Sequence, residues 1–192
     1  IRRSDNRVDL VFEITEGKSV EIERLAFVGN RAYSDRRLRQ VLETKQAGLL
    51  RTFIRRDSLQ PERLDVDKQL LRDFYLSRGF VDFEVLDASA EVARERDGVF
   101  VTFSVREGQQ FKFGKITTVS EIEGLDAAPY DAALKVKSGS VYSPGVVDTN
   151  IARLENLALK QGLNFVTIEP RITRNDRDGT LDIAFTLVRG QK

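Results

Sequence analysis

The chain has 192 residues, 41% of them hydrophobic, which is enough for one ordinary domain or for two small ones. Its 31 basic and 30 acidic residues nearly cancel, so no net field attracts nucleic acid or an anionic membrane, and we expect neither as a partner. Because the sequence contains no His and no Cys, it excludes the usual metal clusters, an imidazole general base and a thiol nucleophile.

The first residues predict the end of one structural unit and the beginning of the next. Apolar and polar side chains alternate over residues 7–16, as they do in a half-buried strand. Residues 1–17 are therefore interpreted as the tail, or last strand, of a preceding module, and residues 18–107 as the first complete module. Its opening strand changes apolar phase between Ile22 and Leu25, which predicts either a β-bulge or a strand whose first half covers the junction between modules.

A short helix and a longer inserted segment follow this strand. Ser34 is the predicted N-cap of the helix, whose buried face consists of Leu38, Val41 and Leu42. The inserted segment mixes apolar residues with arginines, and its counterpart in the second half of the chain is shorter. We interpret it as a loop that covers its own core, since apolar side chains of an inserted loop usually pack beneath it. The alternative hypothesis is a docking surface for a partner protein, formed by Leu49, Leu50, Phe53, Arg55 and Arg56.

The stretch Leu64–Val85 predicts a second helix, its end and the start of the next strand. Pro61 suits the first turn of this helix, where its missing N–H is not needed. A helical period then places apolar side chains on one face, namely those of Leu64, Leu70, Leu71, Phe74 and Tyr75. Gly79 is predicted to end the helix in the left-handed conformation. A long strand over residues 80–92 follows, with a bulge near Leu86.

The same pattern recurs in the second half of the chain. Pro144 takes the place of Pro61, and Gly162 takes the place of Gly79. The apolar stripe between them consists of Val147, Ile151, Leu154 and Ala158. We therefore predict a second complete module over residues 108–192 and interpret the chain as a piece of a longer tandem array. The elements of this module are strand 111–119, helices 129–136 and 144–161, and strands 164–173 and 180–188.

Each module has the element order β-α-α-β-β, which predicts the α+β fold class. The expected architecture is a three-stranded mixed sheet with both helices on one face. In each module the last strand enters through a hairpin and must also pair with the first strand, so we expect it at the centre of the sheet. The second strand is then left at an edge.

An edge strand displays unpaired N–H and C=O groups, so an extended peptide can bind to it by adding a strand. In the first module the candidate peptide-binding edge consists of Phe80, Val81, Asp82, Phe83, Glu84 and Val85. We expect strand addition here in preference to the second module, because Pro170 removes a donor from the equivalent strand. The alternative is an edge that is solvated and protected by its acidic residues, Asp82, Glu84 and Asp87.

The sequence contains no convergent set of residues that supports catalysis. We interpret Asp65, Asp67 and Asp148 as residues of a first helical turn, where the helix dipole favours negative charge. No glycine-rich phosphate-binding motif occurs. We predict no catalytic residue, no metal site and no cofactor, and the chain is not expected to be an enzyme.

Three segments resemble a known family when they are taken together. They are VEIERLAFVGNRAYSDRRLRQVL, LLRDFYLSRGFVDFEV and VFVTFSVREGQQFKFGKI. In this order they resemble the polypeptide-transport-associated (POTRA) modules of the BamA family of outer-membrane barrel-assembly factors. The chain looks like the last strand of the second POTRA module followed by the third and fourth modules.

The resemblance implies a place at the periplasmic face of the Gram-negative outer membrane, attached to a membrane barrel. The implied partners are unfolded outer-membrane protein precursors and accessory lipoproteins of the assembly complex. Two alternatives remain open: the POTRA region of a related transporter of the two-partner secretion or translocation-assembly type, and a purely structural spacer. A spacer predicts rigid modules that bind nothing, whereas an assembly role predicts weak binding of extended peptides.

Overall fold

The structure is a computed structural model that describes residues 21–45, 61–92 and 98–190. Its first module contains β1 (Glu21–Val28), α1 (Asp35–Val41), α2 (Pro61–Leu76), β2 (Glu84–Val92) and β3 (Gly98–Arg106). Its second contains β4 (Lys112–Ser120), α3 (Ala128–Ala133), α4 (Pro144–Lys160), β5 (Val166–Asn175) and β6 (Thr180–Arg189). The predicted order β-α-α-β-β therefore occurs twice. The predicted tail and the candidate docking residues Leu49, Leu50, Phe53, Arg55 and Arg56 lie outside the described residues.

Two three-stranded mixed sheets form the framework, with strand orders β1-β3-β2 and β4-β6-β5. In each sheet the first strand runs parallel to the last, and the second runs antiparallel to it. The last strand is central and the second lies at an edge, as predicted, because the hairpin occupies one side of the last strand and leaves its other side for the first strand.

Both predicted bulges in the first sheet are present. The register of β1 against β3 shifts between Ile22 and Arg24, and that of β2 against β3 shifts between Val85 and Asp87. The second shift inserts Leu86, whose side chain is 57% exposed, whereas Val85 and Ala88 on either side pack against the core. Because Leu86 is an extra residue, the next side chain after Val85 that packs against the core is that of Ala88 rather than that of Asp87.

Both long helices end in the same hydrogen-bonded motif around a glycine. Gly79 and Gly162 have φ angles of 86° and 81°, which a side chain would resist. The N–H of Gly79 donates to Leu76 O at 3.1 Å, and the N–H of Phe80 donates to Tyr75 O at 3.1 Å. Equivalent bonds at Gly162 and the residue after it measure 3.0 and 2.9 Å. These are the two bonds of a Schellman motif, so the predicted glycine caps are confirmed.

Two separate hydrophobic cores lie between the sheets and their helices. Side chains fully buried in the first include Leu25, Leu38, Leu71, Tyr75 and Phe103. Those fully buried in the second include Phe113, Tyr130, Leu154, Ala158 and Phe185. The helical stripes predicted from periodicity supply the helix side of each core, except that Leu70 does not belong to the first core.

The predicted first-turn position is wrong for Asp67 and also for Asp148, since the first turn of α4 contains no acidic residue. Asp67 lies in the second turn of α2 and is 0% exposed. Its Oδ1 accepts the N–H groups of Glu43 and Thr44, at 2.7 and 3.3 Å. In the second module Oδ1 of Asn150 accepts the N–H of Lys135 at 2.8 Å. Each module therefore uses a buried polar side chain of its long helix to bind the backbone that follows its short helix, because those N–H groups lack helical partners.

Candidate peptide-binding edge and module junction

The structure separates the six residues that were predicted to form one peptide-binding edge. Only Glu84 and Val85 belong to β2, since residues 80–83 form a turn in which the N–H of Phe83 donates to Phe80 O at 3.2 Å. The prediction of a strand over 80–83 is therefore wrong. Phe80 and Phe83 both reach the first core, and the Phe83 ring stacks on Tyr75 with 4.0 Å between centroids. A strand would point alternate residues to one face, but the turn lets two residues three positions apart share one core.

The two other residues of this turn face the second module. Val81 packs against the second core. The carboxylate of Asp82 accepts two hydrogen bonds from the guanidinium of Arg174, at 2.7 and 2.6 Å. Alternation along the sequence could not reveal this division, because it depends on a second core that the chain forms later.

The described edge of the first sheet is β2 from Glu84 to Val92. It pairs with β3 on one side, and within the described ranges no strand pairs with its other side. Its middle and far end are largely open to solvent, with Val92 72% exposed. Asp87 and Glu91 are exposed as well. The edge therefore combines free backbone groups with a mixed apolar and acidic surface.

A small cavity adjoins the bulge of this edge. It has a volume of about 390 Å³, and its lining includes Gly29, Arg31, Leu86, Val105 and Glu107. At the same end of β2, Arg106 forms an ion pair with Glu84. Both side chains of this pair are more than half exposed, so it contributes little to stability. The start of the edge thus offers an apolar recess beside charged groups of both signs.

Glu107 is a buried carboxylate that sequence reasoning missed. Its two oxygens accept the N–H of Ala32 at 3.1 and 3.0 Å, and Oε1 also accepts the hydroxyl of Tyr75 at 2.7 Å. Burial, and next the hydrogen bond to Glu107, raise the pKa of Tyr75 well above its usual range. The carboxylate therefore ties the turn after β1 to α2. The second module has Gly190 after Arg189, so this network belongs to the first module.

The corresponding edge of the second sheet is β5, which differs in two respects. Its pairing with β6 runs from Val166 to Asn175 without a register shift. Pro170, opposite Phe185, lies in the middle of this run and has no N–H to donate. An incoming strand at β5 therefore meets a gap in the donors, as predicted.

Several contacts join the two modules directly. The N–H of Phe111 donates to Gly79 O at 2.8 Å, and Nε2 of Gln110 donates to Arg78 O at 2.9 Å. Within the second module, the guanidinium of Arg174 that binds Asp82 also lies over the Phe111 ring, 4.7 Å from its centroid. A side chain at Gly79 would place its Cβ 2.5 Å from Phe111 O, closer than any real contact. Gly79 therefore serves both the helix cap and the approach of the second module.

The ion pair at this junction shapes the charge state of Asp82. The hydrogen bonds from Arg174 hold the pKa of Asp82 below its ordinary value, against the opposing effect of burial. The carboxylate is thus ionised at neutral pH.

Nothing in the described part of the chain points to catalysis by a metal or to a helical membrane anchor. Residues 21–45, 61–92 and 98–190 contain no group of three or more His, Cys, Asp or Glu side chains placed to hold a metal ion. In the same ranges no helix is both long enough and apolar enough to cross a membrane. What the arrangement offers is backbone and surface for binding.

Residues 20–108 match the family model POTRA, described as a surface antigen variable number repeat. The chain contains a POTRA domain. The match ends two residues beyond β3 and thus includes the whole first sheet together with α1 and α2. The predicted resemblance to POTRA modules is confirmed.

Curated relatives extend this similarity to nearly the whole chain. The outer membrane protein assembly factor BamA of Neorickettsia risticii is 30% identical over 188 residues, which are 98% of this chain and 25% of that protein. BamA of Neisseria meningitidis is 26% identical over 97% of this chain and 24% of its own length. The chain therefore spans about a quarter of the length of these relatives. The predicted location of these POTRA modules, the periplasm at the outer membrane, is confirmed by this relationship.

Solved structures share the fold. The POTRA3-5 structure of Haemophilus influenzae BamA matches with a TM-score of 0.64 and 19% identity, over 90% of this chain and 67% of that one. BamA of Haemophilus ducreyi lacking POTRA domains 1-3 matches with a TM-score of 0.59 and 20% identity, over 88% of this chain and 29% of that one. Both modules of the chain thus have the architecture that the sequence predicted.

Proposed function

We propose that the chain is the POTRA part of a BamA-type outer-membrane assembly factor, and that it binds unfolded β-barrel precursors by strand addition along β2. The observation that supports this role best is the open edge of β2, whose second side has no strand partner in the described ranges. Unfolded barrel precursors are rich in segments that can become strands. A free edge can satisfy the backbone of such a segment whatever its exact sequence.

The residues proposed to bind the peptide differ from those predicted from the sequence. Residues 80–83 are committed to the two cores and to Arg174, so strand addition is proposed at Glu84 to Val92 rather than at Val81 to Val85. The bulge at Leu86 divides this edge, and pairing is expected mainly over residues 87–92. Alternate side chains of the added strand then determine a weak preference.

The proposal includes no catalytic step. The relatives are assembly factors by name, and the chain is proposed to bind without turning over a substrate. Attachment to a membrane barrel and docking of accessory lipoproteins are proposed for the complete protein. The boundaries 1–17, 18–107 and 108–192 are retained as proposed modules, supported by the two separate cores.

A rigid structural spacer is a second candidate, and the module junction favours it. The bond from Phe111 N to Gly79 O and the Arg174 to Asp82 pair join the modules through backbone and side chains. Rigidity alone is compatible with both roles. Binding of an extended peptide separates them, since a spacer binds nothing.

The test uses two proline variants of neighbouring edge residues, Ser89→Pro and Ala90→Pro. Along an antiparallel edge the N–H groups of adjacent residues point to opposite sides, so one variant removes a free donor and the other removes a bond to β3. Amide shifts of the 192-residue chain are recorded with an extended peptide of alternating apolar and polar residues. We expect shifts over residues 84–92 that are lost in the variant lacking the free donor, while its fold is retained. Shifts that persist in both variants, or that map to 166–175, contradict the proposal.

The predicted docking segment has a test of its own. If Arg55 and Arg56 bind an accessory protein, Arg55→Glu with Arg56→Glu should weaken that binding while the melting temperature barely changes, since exposed charges contribute little to stability. A lower melting temperature with unchanged binding supports the loop that covers its own core.

A further inference from the structure

A basic groove between α3 and α4 of the second module is not used by the proposed strand addition. It has a volume of about 720 Å³, within the range of ligand sites. Its apolar floor includes Leu134 and Leu157, which also pack against the second core. Lys135, Arg153 and Lys160 line it, and no acidic residue does.

The cations of this groove are not neutralised locally. In the described ranges none of Lys135, Arg153 and Lys160 forms an ion pair, and Nε of Arg153 is buried without an acceptor. Glu155, the acidic residue nearest to Arg153 in the sequence, uses Oε1 to accept the N–H of Ile168 at 3.3 Å and so faces the sheet. The groove thus presents three positive charges above an apolar floor.

The first module shows that the fold does not require basic residues at these positions. The bonds to Asp67 and Asn150 place Glu43 at the position of Lys135. By the same repeat, Gln69 and Asp73 stand where Ala152 and Asn156 stand, and they bond to each other at 2.7 Å. The first module therefore has an acidic residue, Glu43, where the second has Lys135. It also has the longer side chain of Gln69 where the second has Ala152.

We propose that this groove binds an acidic amphipathic helix of a partner protein. The residues of α4 that line it recur at helical spacing from Thr149 to Lys160, which corresponds to about 16 Å at 1.5 Å per residue. That length suits two to three turns of a helix laid along α4 and exceeds a single lipid headgroup. The apolar face of such a helix would cover Leu134 and Leu157, and its carboxylates would meet the three cations.

The test uses the 192-residue chain and two synthetic peptides of about 18 residues, long enough to form a helix. One carries Leu on its apolar face and Glu on its polar face, and the other carries Lys in place of Glu. The Glu peptide should shift amides over residues 132–135 and 149–160, more strongly at low salt. Arg153→Glu combined with Lys160→Glu should weaken its binding by about tenfold or more, since two charge pairs are lost and repulsion is added. Ala152→Trp, which fills the groove without changing charge, should also weaken binding.

Lys112→Glu combined with Lys115→Glu on β4 is the matched control, because it makes the same charge change outside the groove and should leave binding unchanged. The inference fails if the Lys peptide binds as well as the Glu peptide, or if the shifts lie elsewhere. It also fails if vesicles containing phosphatidylglycerol protect the groove residues and the Glu peptide does not. The result is independent of strand addition, which is measured at residues 84–92 and should survive every groove variant.

Discussion

The two modules share one fold but differ at each surface that could bind a partner. Both sheets place the second strand at an edge, yet β2 is bulged at Leu86 and free of proline, whereas β5 is regular and carries Pro170. The groove between the two helices is basic in the second module, and the matching positions of the first include acidic residues. The comparison teaches that the repeated residues specify the framework, while the residues that differ distinguish the roles of the modules.

The largest expected effect comes from substitutions at equivalent positions in the two separate cores. Leu71 in α2 and Leu154 in α4 are equivalent and fully buried. Leu71→Ala and Leu154→Ala should each cost about 2–5 kcal/mol of the free energy of unfolding, through lost transfer energy and a cavity. Urea unfolding followed by amide signals of each module checks whether each variant destabilises its own module more. Equal loss of signal in both modules for either variant would show that they unfold as one unit.

The next largest loss of stability is expected at the buried hydrogen-bond acceptor of each long helix, Asp67 in α2 and Asn150 in α4. Asp67→Ala should cost about 1–3 kcal/mol, because the N–H groups of Glu43 and Thr44 lose their acceptor in a buried site. Asp67→Asn should cost much less, since Asn150 performs the same task in the second module. Denaturation of both variants tests this, and equal losses would show that the charge of Asp67 matters rather than its hydrogen bonds.

The edge strands can be made more alike by one substitution. Pro170→Val restores an N–H to β5 and should allow an extended peptide to bind there, with a gain of up to about tenfold in affinity from one added hydrogen bond. Peptide titration followed by the amides of residues 166–175 measures the gain. If β5 still binds nothing, the missing donor does not explain the difference between the two edges.

The smallest effect concerns the junction between the modules. Arg174→Ala removes the exposed pair with Asp82 and should leave the unfolding transition nearly unchanged, while the relative motion of the modules increases. Residual dipolar couplings of each module measure this motion, with Arg171→Ala, which removes the pair to Glu121, as the control. Identical alignment of both modules in the Arg174 variant would show that the backbone bond at Gly79 suffices.

The pH dependence of the junction follows from the same pair. Since the folded pKa of Asp82 lies below its ordinary value of 3.8, the stabilisation by the pair is fully present above that value. It is lost as the pH falls through the lower folded pKa. The relative motion of the modules should therefore stay unchanged from neutral pH down to about pH 4 and increase only in stronger acid, as measured by the same residual dipolar couplings.

Much of the framework could be predicted because its causes are local. The glycine caps at Gly79 and Gly162, the Ser34 N-cap and the bulge near Leu86 each depend on a few consecutive residues. The central place of the last strand follows from the hairpin and the element order. The candidate site was less predictable, since the alternation of Val81, Phe83 and Val85 is also produced by a turn that serves two cores.

The sequence by itself determined the repeat, the α+β class, the order of the strands and the absence of imidazole and thiol chemistry, because periodicity, turn residues and composition act without knowledge of distant contacts. Tertiary structure alone decided that the edge begins at Glu84, that Asp67 and Glu107 are buried acceptors and that Asp82 meets Arg174. It also decided that Lys135, Arg153 and Lys160 line one groove. The physical reason is that these features join residues far apart in the chain, and packing determines which of them meet.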